Sequence, residues 1–389
     1  MINMPIRIMH VVDTLAIGGM QKGVASLIAR LDPARFEHVC CTLRPVDGAN
    51  AQPLPDDRTQ TICLSPKETN SRIQIGALAR RIREIKPDIV HSRNWGAIEA
   101  VLAARLVGSC ASIHSEHGID AEPTAREPRR RNCFRRFAYE AADRVMAVSY
   151  QLRAFHSGRT GFPARKITVI HNGVDHNHFL PDPASRISMR KELGISDGEF
   201  CIGCVGNLIP VKDHLTLLKS VDVLDRNYRN WRLLVVGDGP ELPHLQAFVN
   251  DHPGWRKKVH FAGHSRRVPE LLRAMDVFVL PSVSEGICNS LLEAMSAALP
   301  VAVTATGGNP EVVDDGKSGL LFPVGDWRQL ASLLLVLQAE AGMCAELGKA
   351  AKRRVSQSFS IDSMVRRYDE MYEGLRPAVH APIATASGG

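Results

Sequence analysis

Two carboxylates eight positions apart, Glu285 and Glu293, bracket the stretch of this sequence best suited to chemistry. An apolar, β-branched run at 277–280 precedes Glu285, which should lie on a loop at the carboxyl end of a buried strand. A helical pattern at 291–298 carries Glu293, which should lie about two turns into the helix behind that loop. Ligands of open parallel sheets bind at the carboxyl ends of the strands. The N–H groups of residues 286–290, where the helix opens, favour an anion. One site could therefore hold a phosphate on N–H groups and polyols on two carboxylates.

Three further loops are predicted to reach the same kind of position. The pair Gly18-Gly19 follows the first strand, and paired glycines let a ligand approach the backbone closely. His117 follows the fifth strand and could hydrogen-bond a sugar hydroxyl or a leaving phosphate, with His91 and Arg93 as weaker candidates. Lys212, near a helix start, suits a diphosphate as a point charge. Each signal alone also fits an ordinary turn, a structural histidine or a surface lysine.

Short strand patterns alternate with helical patterns along the whole chain and predict two doubly wound α/β domains. The predicted strands are 6–12, 37–43, 59–64, 88–92, 111–116, 144–149 and 166–170, then 200–206, 231–237, 258–262, 277–281, 300–304 and 319–323. Most are continuous apolar runs, as in parallel strands covered on both faces. A Pro-Asp-Pro sequence predicts a boundary between domains 1–183 and 184–355. Residues 356–376 are expected to form a helix that crosses back to the first domain, and the tail 377–389 is expected to be disordered.

Composition points to a soluble globular protein. The chain has 389 residues, of which 44% are hydrophobic and 23% charged, as is usual for two ordinary domains. No apolar run approaches the length of a membrane span, and no signal-peptide pattern is present, so we expect a cytoplasmic protein. The nine cysteines show no disulfide or zinc spacing. Cys201 and Cys204 lie inside a strand pattern and are read as core residues.

The net charge of +7 resides in the first half of the chain. Through residue 185 there are 25 Lys and Arg against 18 Asp and Glu, whereas the remainder has 23 of each. Six arginines lie between Arg126 and Arg136, where Glu127 is the single acid and aromatic residues are interleaved. This stretch fits either a solvated helix face or a dock for anionic lipid head groups. Nucleic acid is not expected as a partner, because no nucleic-acid motif accompanies the charge.

Taken together, the motifs resemble those of the retaining glycosyltransferases of family 4, also called group 1. The resemblance rests on the Gly-rich first loop, Asn172-Gly173-Val174-Asp175, the Gly-x-Leu-x-x-x-Lys that ends at Lys212, Gly237-x-Gly-Pro, Glu-x7-Glu, and Gly307-Gly-x-Pro-Glu. It covers roughly residues 6–370 and is most specific around the two glutamates. It implies the GT-B fold, in which two Rossmann-like domains with parallel sheets face each other across a cleft.

The resemblance also implies roles for individual residues. Glu285 would contact the transferred sugar, Glu293 the ribose hydroxyls, and Lys212 the donor diphosphate. His117 would lie beside the reacting sugar and form the catalytic set with Glu285 and Lys212. The implied donor-binding residues are Gly18, Gly19, Asn207, Lys212, Gly286, Ile287, Asn289, Ser290 and Glu293. No metal or cofactor is expected, because Lys212 and the helix start would take over the phosphate charge. Asn207 departs from the family, since many members carry an arginine there.

The implied function is transfer of a sugar from a UDP- or GDP-linked donor to a glycan or lipid-linked acceptor, with retention. The segments 91–94 and 115–118 further resemble sugar transferases of exosortase-linked exopolysaccharide systems. That narrower resemblance implies a growing lipid-linked glycan as acceptor, and a peripheral location at the inner face of the plasma membrane. Two alternatives stay open: a nucleotide-sugar epimerase on the same fold, and a non-catalytic nucleotide- or glycan-binding scaffold, which Asn207 favours.

Overall fold

The computed structural model describes residues 4–46, 48, 51–55, 59–64, 71–119 and 129–376. The strands are β1 Ile6–Val12, β2 Phe36–Thr42, β3 Thr59–Cys63, β4 Ile89–Arg93, β5 Ala111–Glu116, β6 Arg144–Ala147, β7 Ile167–Val169, β8 Phe200–Val205, β9 Trp231–Val236, β10 Val259–Gly263, β11 Val277–Leu280, β12 Val301–Thr304 and β13 Leu320–Phe322. The α-helices are α1 Gly19–Arg30, α2 Ser71–Ile85, α3 Glu99–Val107, α4 Arg129–Ala141, α5 Tyr150–Thr160, α6 Pro183–Glu192, α7 His214–Asn227, α8 Leu242–Asn250, α9 Val268–Ala274, α10 Asn289–Ser296, α11 Asn309–Val312, α12 Trp327–Ala339, α13 Ala341–Ser358 and α14 Ile361–Glu373. Short 3-10 helices span Trp95–Ala97, Ala164–Lys166, His176–Phe179, Pro210–Lys212 and Trp255–Lys257.

The strands form two parallel sheets, one in each domain. Within the described residues, the first sheet has seven strands in the order β3-β2-β1-β4-β5-β6-β7, and the second has six in the order β10-β9-β8-β11-β12-β13. Each strand lies within two residues of its predicted position. The strand order reverses between β1 and β4 and again between β8 and β11, which opens a crevice at the carboxyl end of each sheet. The predicted pair of doubly wound parallel sheets is therefore confirmed.

Helices cover both faces of the second sheet, as its apolar strand patterns require. All six residues of β8 are buried. Helix α7 presents Leu217, Val221 and Leu224 to this core at the spacing of one helical face. Each such leucine stabilises the fold by about 1.5–3 kcal/mol through burial. The helix begins at Asp213, whose carboxylate accepts hydrogen bonds from the backbone N–H and hydroxyl groups of Thr216.

The last described helix, α14, packs on the first sheet. Its residues Ile361, Met364, Tyr368 and Tyr372 recur every three or four positions and are buried against strand residues that include Ile8. The helix begins with a side-chain cap from Ser360. Helix α14, which follows the second domain in sequence, therefore completes the core of the first domain. The tail 377–389, expected to be disordered, lies outside the described residues.

Among the described residues, no single helix has the length and apolar composition needed to cross a membrane. Helices α12 and α13 reach that threshold only as a pair, and they are bent by 105° where they join.

Candidate active site

Loops at the carboxyl ends of both sheets supply the candidate site. They follow β1 and β5 in the first domain and β8 and β11 in the second. Helices α1 and α10 touch where these loops meet, because the Asn289 side chain donates to the Gly19 carbonyl oxygen at 2.8 Å. The site therefore spans both domains at the strand-order reversals, where open parallel sheets bind ligands.

Glu285, in the loop after β11, is bound by two side chains of its own domain. Lys212 donates to Glu285 Oε1 at 2.5 Å, and the Ser282 hydroxyl donates to the same oxygen at 2.6 Å. Burial would lower the pKa of the Lys212 ammonium, but the Glu285 carboxylate outweighs burial and raises that pKa. Lys212 is therefore a permanent positive charge within the site.

Glu293 lies one turn into α10, not about two turns as expected, and it is bound by a lysine of the other domain. Lys22 of α1 donates to Glu293 Oε1 at 2.5 Å, and its ammonium lies 5.6 Å from the centre of the Phe179 ring. Burial raises the pKa of the Glu293 carboxyl, and the charge of Lys22 limits the rise. Both predicted carboxylates thus face the site, and each one holds a lysine.

Helix α10 begins at Asn289, two residues earlier than the helical pattern indicated. Its N-cap residue, Cys288, makes no side-chain cap, and uncapped N–H groups at a helix start favour an anion. The Ser290 hydroxyl donates to the Val205 carbonyl oxygen at 2.7 Å and so fastens this helix start to β8. Because the Lys212 side chain borders Gly206, the residue after Val205, the helix start and the lysine face one space.

His117 follows β5 and lies directly against the second domain. Its backbone N–H donates to Asn94 Oδ1 at 2.7 Å, and its ring Nε2 lies 3.0 Å from the Ser115 hydroxyl. A Cβ at Gly286 would lie 2.3 Å from the His117 carbonyl oxygen, so only glycine fits at that contact. Burial and the Arg93 guanidinium lower the pKa of His117 to about 3. The imidazole is therefore neutral near neutral pH and can hydrogen-bond a ligand without carrying charge.

Gly18 and Asn207 lie in the first loop of each domain. Gly18 is the N-cap residue of α1, with an extended backbone. Asn207, two residues beyond β8, is half-buried. Its loop is pressed against Gly237, where a Cβ would lie 2.0 Å from the Gly206 carbonyl oxygen and where φ is +136°. The structure thus brings the predicted residues of both domains into one region, and their individual roles stay predictions.

Known proteins resemble this chain across both domains. Residues 17–178 match the family model for Glycosyltransferase Family 4, and residues 199–340 match that for glycosyl transferases group 1. The chain is 30% identical over 304 residues to N-acetyl-α-D-glucosaminyl L-malate synthase of Bacillus anthracis, with 76% of this chain and 78% of that protein covered. The chain belongs to glycosyltransferase family 4.

Further relatives and solved structures agree with the assignment to this family. The family 4 chain is 26% identical over 317 residues to UDP-Gal:α-D-GlcNAc-diphosphoundecaprenol α-1,3-galactosyltransferase of Escherichia coli, with 80% of this chain and 82% of that protein covered. Anabaena HepE, solved in complex with UDP-glucose, matches it with a TM-score of 0.82 at 20% identity, over 95% of this chain and 99% of that one. The predicted GT-B architecture of this glycosyltransferase is therefore confirmed.

Sequence reasoning missed three residues of this glycosyltransferase that join its domains. The sequence shows only that Lys22 follows the glycine pair, and nothing in it predicts a partner in the second domain. Asn172, read as part of a turn, donates through Nδ2 to the Ile287 carbonyl oxygen at 2.9 Å. Glu311 accepts hydrogen bonds from the Tyr150 and Gln151 N–H groups at 2.9 and 2.8 Å, and so caps helix α5 from the opposite domain. Each residue lies in a recognised motif, but its partner is remote in sequence.

Two expectations need correction. His91 and Arg93, predicted as weaker candidates beside His117, are buried inside the first domain, with 0% and 1% exposure. The reason is that α14 covers this part of β4 and places Tyr372 against His91. Both side chains therefore lie beneath the surface of the site, and Arg93 borders a small cavity that His117 also lines.

The arginine-rich stretch is divided between surface and interior. Arg126 lies outside the described residues. Arg131 and Arg135 stack over the Trp95 ring at 4.3 and 5.1 Å. Arg135 also pairs with the buried Glu116 carboxylate at 3.1 Å. The residues of α4 that remain exposed include Arg129, Arg130, Arg136 and Phe137. The charged face is therefore smaller than the sequence indicated.

Proposed function

We propose that this family 4 glycosyltransferase moves a sugar from a UDP- or GDP-linked donor to a glycan or lipid-linked acceptor, with retention and without a metal ion. One observation carries the proposal: Lys212, Glu285 and Glu293 line one space with the α10 helix start, and His117 of the other domain abuts that space at Gly286. The Lys212 ammonium and the free N–H groups at the start of α10 suit a diphosphate, and the carboxylates of Glu285 and Glu293 suit hydroxyl groups.

Within this space, Lys212 and the α10 N–H groups would hold the diphosphate, and Glu293 the ribose diol. Glu285 would exchange part of its contact with Lys212 for a hydroxyl of the sugar. In the transfer, the bond between the anomeric carbon and the donor phosphate oxygen breaks, and the acceptor oxygen bonds to the same face of that carbon. The acceptor proton passes to the departing diphosphate. The protein would chiefly position the groups and stabilise the charge that develops on the diphosphate.

The acceptor class is drawn from the relatives. The Escherichia coli relative is named for a diphosphoundecaprenol-linked acceptor, and a Mycobacterium tuberculosis relative, 28% identical, for a phosphatidylinositol monomannoside acceptor. By analogy with these relatives we propose a lipid-linked acceptor and a role in exopolysaccharide or other cell-surface glycan synthesis. Membership of the exosortase-associated subgroup is proposed separately, from the resemblance of segments 91–94 and 115–118. We also propose that the first domain ends at residue 183 and the second at residue 355. The packing of α14 on the first sheet supports the second boundary.

Association with the inner face of the plasma membrane belongs to the same proposal. Helix α4 exposes Arg129 and Arg130, and Phe137 on this helix is 63% exposed. On the preceding helix, Leu106 is also 63% exposed. Basic and apolar side chains on adjacent helices suit the head-group region of an anionic bilayer.

Calorimetric binding of UDP, GDP, ADP and NAD without metal tests the site. We expect one nucleoside diphosphate to bind the wild type. Because hydrogen bonds to a charged group contribute about 1.5–3 kcal/mol, Glu293→Ala should weaken that binding ~10- to 100-fold. Glu285→Ala should cost turnover more than affinity. Glu346→Ala is the control, because that side chain is 75% exposed. Binding of NAD alone, or wild-type behaviour in both site variants, would refute the proposal.

A further inference from the structure

A line of hydrogen bonds runs through the first domain from α14 to His117. The Tyr372 hydroxyl lies 2.8 Å from His91 Nδ1, His91 Nε2 lies 3.1 Å from the Ser115 hydroxyl, and that hydroxyl lies 3.0 Å from His117 Nε2. Tyr372, His91 and Ser115 are each 0% exposed. With no contact to solvent, these groups must satisfy one another, so each proton position constrains the next.

Arg93 sets the direction of this line at His91. A guanidinium can only donate hydrogen bonds, and Arg93 Nη2 lies 3.4 Å from His91 Nδ1. The Tyr372 hydroxyl keeps its proton because burial raises its pKa, and it accepts a hydrogen bond from Arg93. Its own proton therefore goes to His91 Nδ1, 2.8 Å away, which is the acceptor; the 3.4 Å contact of Arg93 with that nitrogen is secondary. Burial and Arg93 lower the pKa of His91, so its ring is neutral. Its single proton is then on Nε2, which donates to Ser115.

Ser115 determines which atom is the donor in the last hydrogen bond, the one with His117. Its hydroxyl accepts from His91 and has one proton to donate. The acceptors in reach are His117 Nε2 at 3.0 Å and the Ser92 carbonyl oxygen at 3.3 Å. The imidazole nitrogen is the closer of the two and the more basic, so it receives the proton. His117 Nε2 is thereby an acceptor, and the proton of the neutral ring is on Nδ1.

We propose that Tyr372, His91 and Ser115 are positioning residues that hold His117 in the tautomer protonated at Nδ1. In this tautomer His117 offers a ligand an N–H donor and no free basic nitrogen. The identity of that ligand, a sugar hydroxyl or a phosphate oxygen of the donor, rests on the proposed function, whereas the tautomer does not. A donor at this position would orient the sugar and would leave the removal of the acceptor proton to the departing diphosphate.

Nitrogen-15 NMR of the histidine-labelled full-length protein reads the tautomer directly, with His117→Gln to assign the signal. We expect a protonated Nδ1 and an unprotonated Nε2 in the wild type, and a mixture of tautomers in Ser115→Ala. Ser92→Ala is the matched control, because this buried serine bonds the neighbouring His114 at 2.8 Å and lies outside the line. A proton on Nε2 in the wild type, or the same change in both serine variants, overturns the proposal.

Tyr372→Phe provides a second test that leaves the packing of α14 intact. Loss of the first hydrogen bond should lower kcat ~3- to 10-fold while the affinity for the nucleoside diphosphate stays unchanged. An equal loss of affinity, or an unchanged kcat in both Tyr372→Phe and Ser115→Ala, contradicts a positioning role. If the wild type transfers no sugar, the proposed function fails, and the NMR result still decides the tautomer.

Discussion

Replacing Lys22 with methionine should destabilise the protein above neutral pH and much less in acid. The Lys22 ammonium lies 2.5 Å from the carboxylate of Glu293 across the domain contact, and Glu293 is 4% exposed. Methionine keeps most of the apolar stem of the lysine and removes its charge. The carboxylate of Glu293 would then be buried without the cation that offsets its desolvation.

The size of the effect follows from how deeply each partner is buried. Breaking a buried ion pair costs about 3–5 kcal/mol. Because the Lys22 side chain is 46% exposed, solvent already screens part of the interaction, and we expect a loss of about 1–2 kcal/mol. For a folding unit of 150–250 residues, this corresponds to a fall in Tm of about 2–8 °C.

The pH dependence has a definite sign. In the folded protein the pKa of Glu293 is raised above its ordinary value of 4.5. A carboxyl group whose pKa is raised by folding destabilises the folded protein when it is ionised. This destabilisation is complete at pH values above the pKa in the folded protein, and it is absent below the pKa in the unfolded protein. Loss of Lys22 raises the folded pKa further and enlarges the cost on the alkaline side alone.

Thermal unfolding followed by circular dichroism, at about pH 8 and about pH 5, measures this difference. Lys22→Arg should restore much of the wild-type Tm. Lys349→Met is the control, because its pair with Glu346 is exposed at both ends, 69% and 75%. An equal fall in Tm at both pH values, or a fall of similar size in the control, would refute the reasoning.

Gly286→Ala should lower kcat about 10- to 100-fold, because the new Cβ would displace His117 from the second domain. Gly342→Ala is the control, because nothing lies within 4 Å of a Cβ at that position. Equal kcat values for the two variants would contradict the prediction. Asn207→Arg should tighten calorimetric binding of a nucleoside diphosphate about fivefold at low salt by adding a cation near Lys212, while leaving the free nucleoside unaffected. Reversing Arg129 and Arg130 to glutamate should reduce cosedimentation with anionic vesicles, at about 1 kcal/mol per charge removed, without changing nucleotide affinity; unchanged sedimentation would identify α4 as a solvated helix face.

The sequence predicted the strands well because buried parallel strands are continuous apolar runs with clear ends. It also predicted that Glu285 and Lys212 would follow strands of the second domain, and the structure brings the two loops together because β8 and β11 pair directly. These predictions depend on local periodicity and on the general rule that parallel strands end at one edge. Both are properties of short segments of the chain.

Contacts between the two domains could not be predicted from local sequence patterns. Lys22 and Glu293 are 271 residues apart, and their pairing depends on how two independently patterned domains are placed. Polar residues of β4 misled for a related reason. His91 and Arg93 were weaker candidates because they end the fourth strand, but α14 covers this part of β4 and places Tyr372 against His91.

The packing of α14 on the first sheet has a consequence for synthesis on the ribosome. The first strand that α14 covers is β1, at Ile6–Val12, whereas α14 occupies Ile361–Glu373 and is therefore translated long after it. Helix α1 supplies Leu27 to the same core, but the part of this face that α14 covers must stay open while the whole second domain is translated. The domain that starts first is finished last, and throughout that interval its apolar face is open to chaperones or to neighbouring nascent chains.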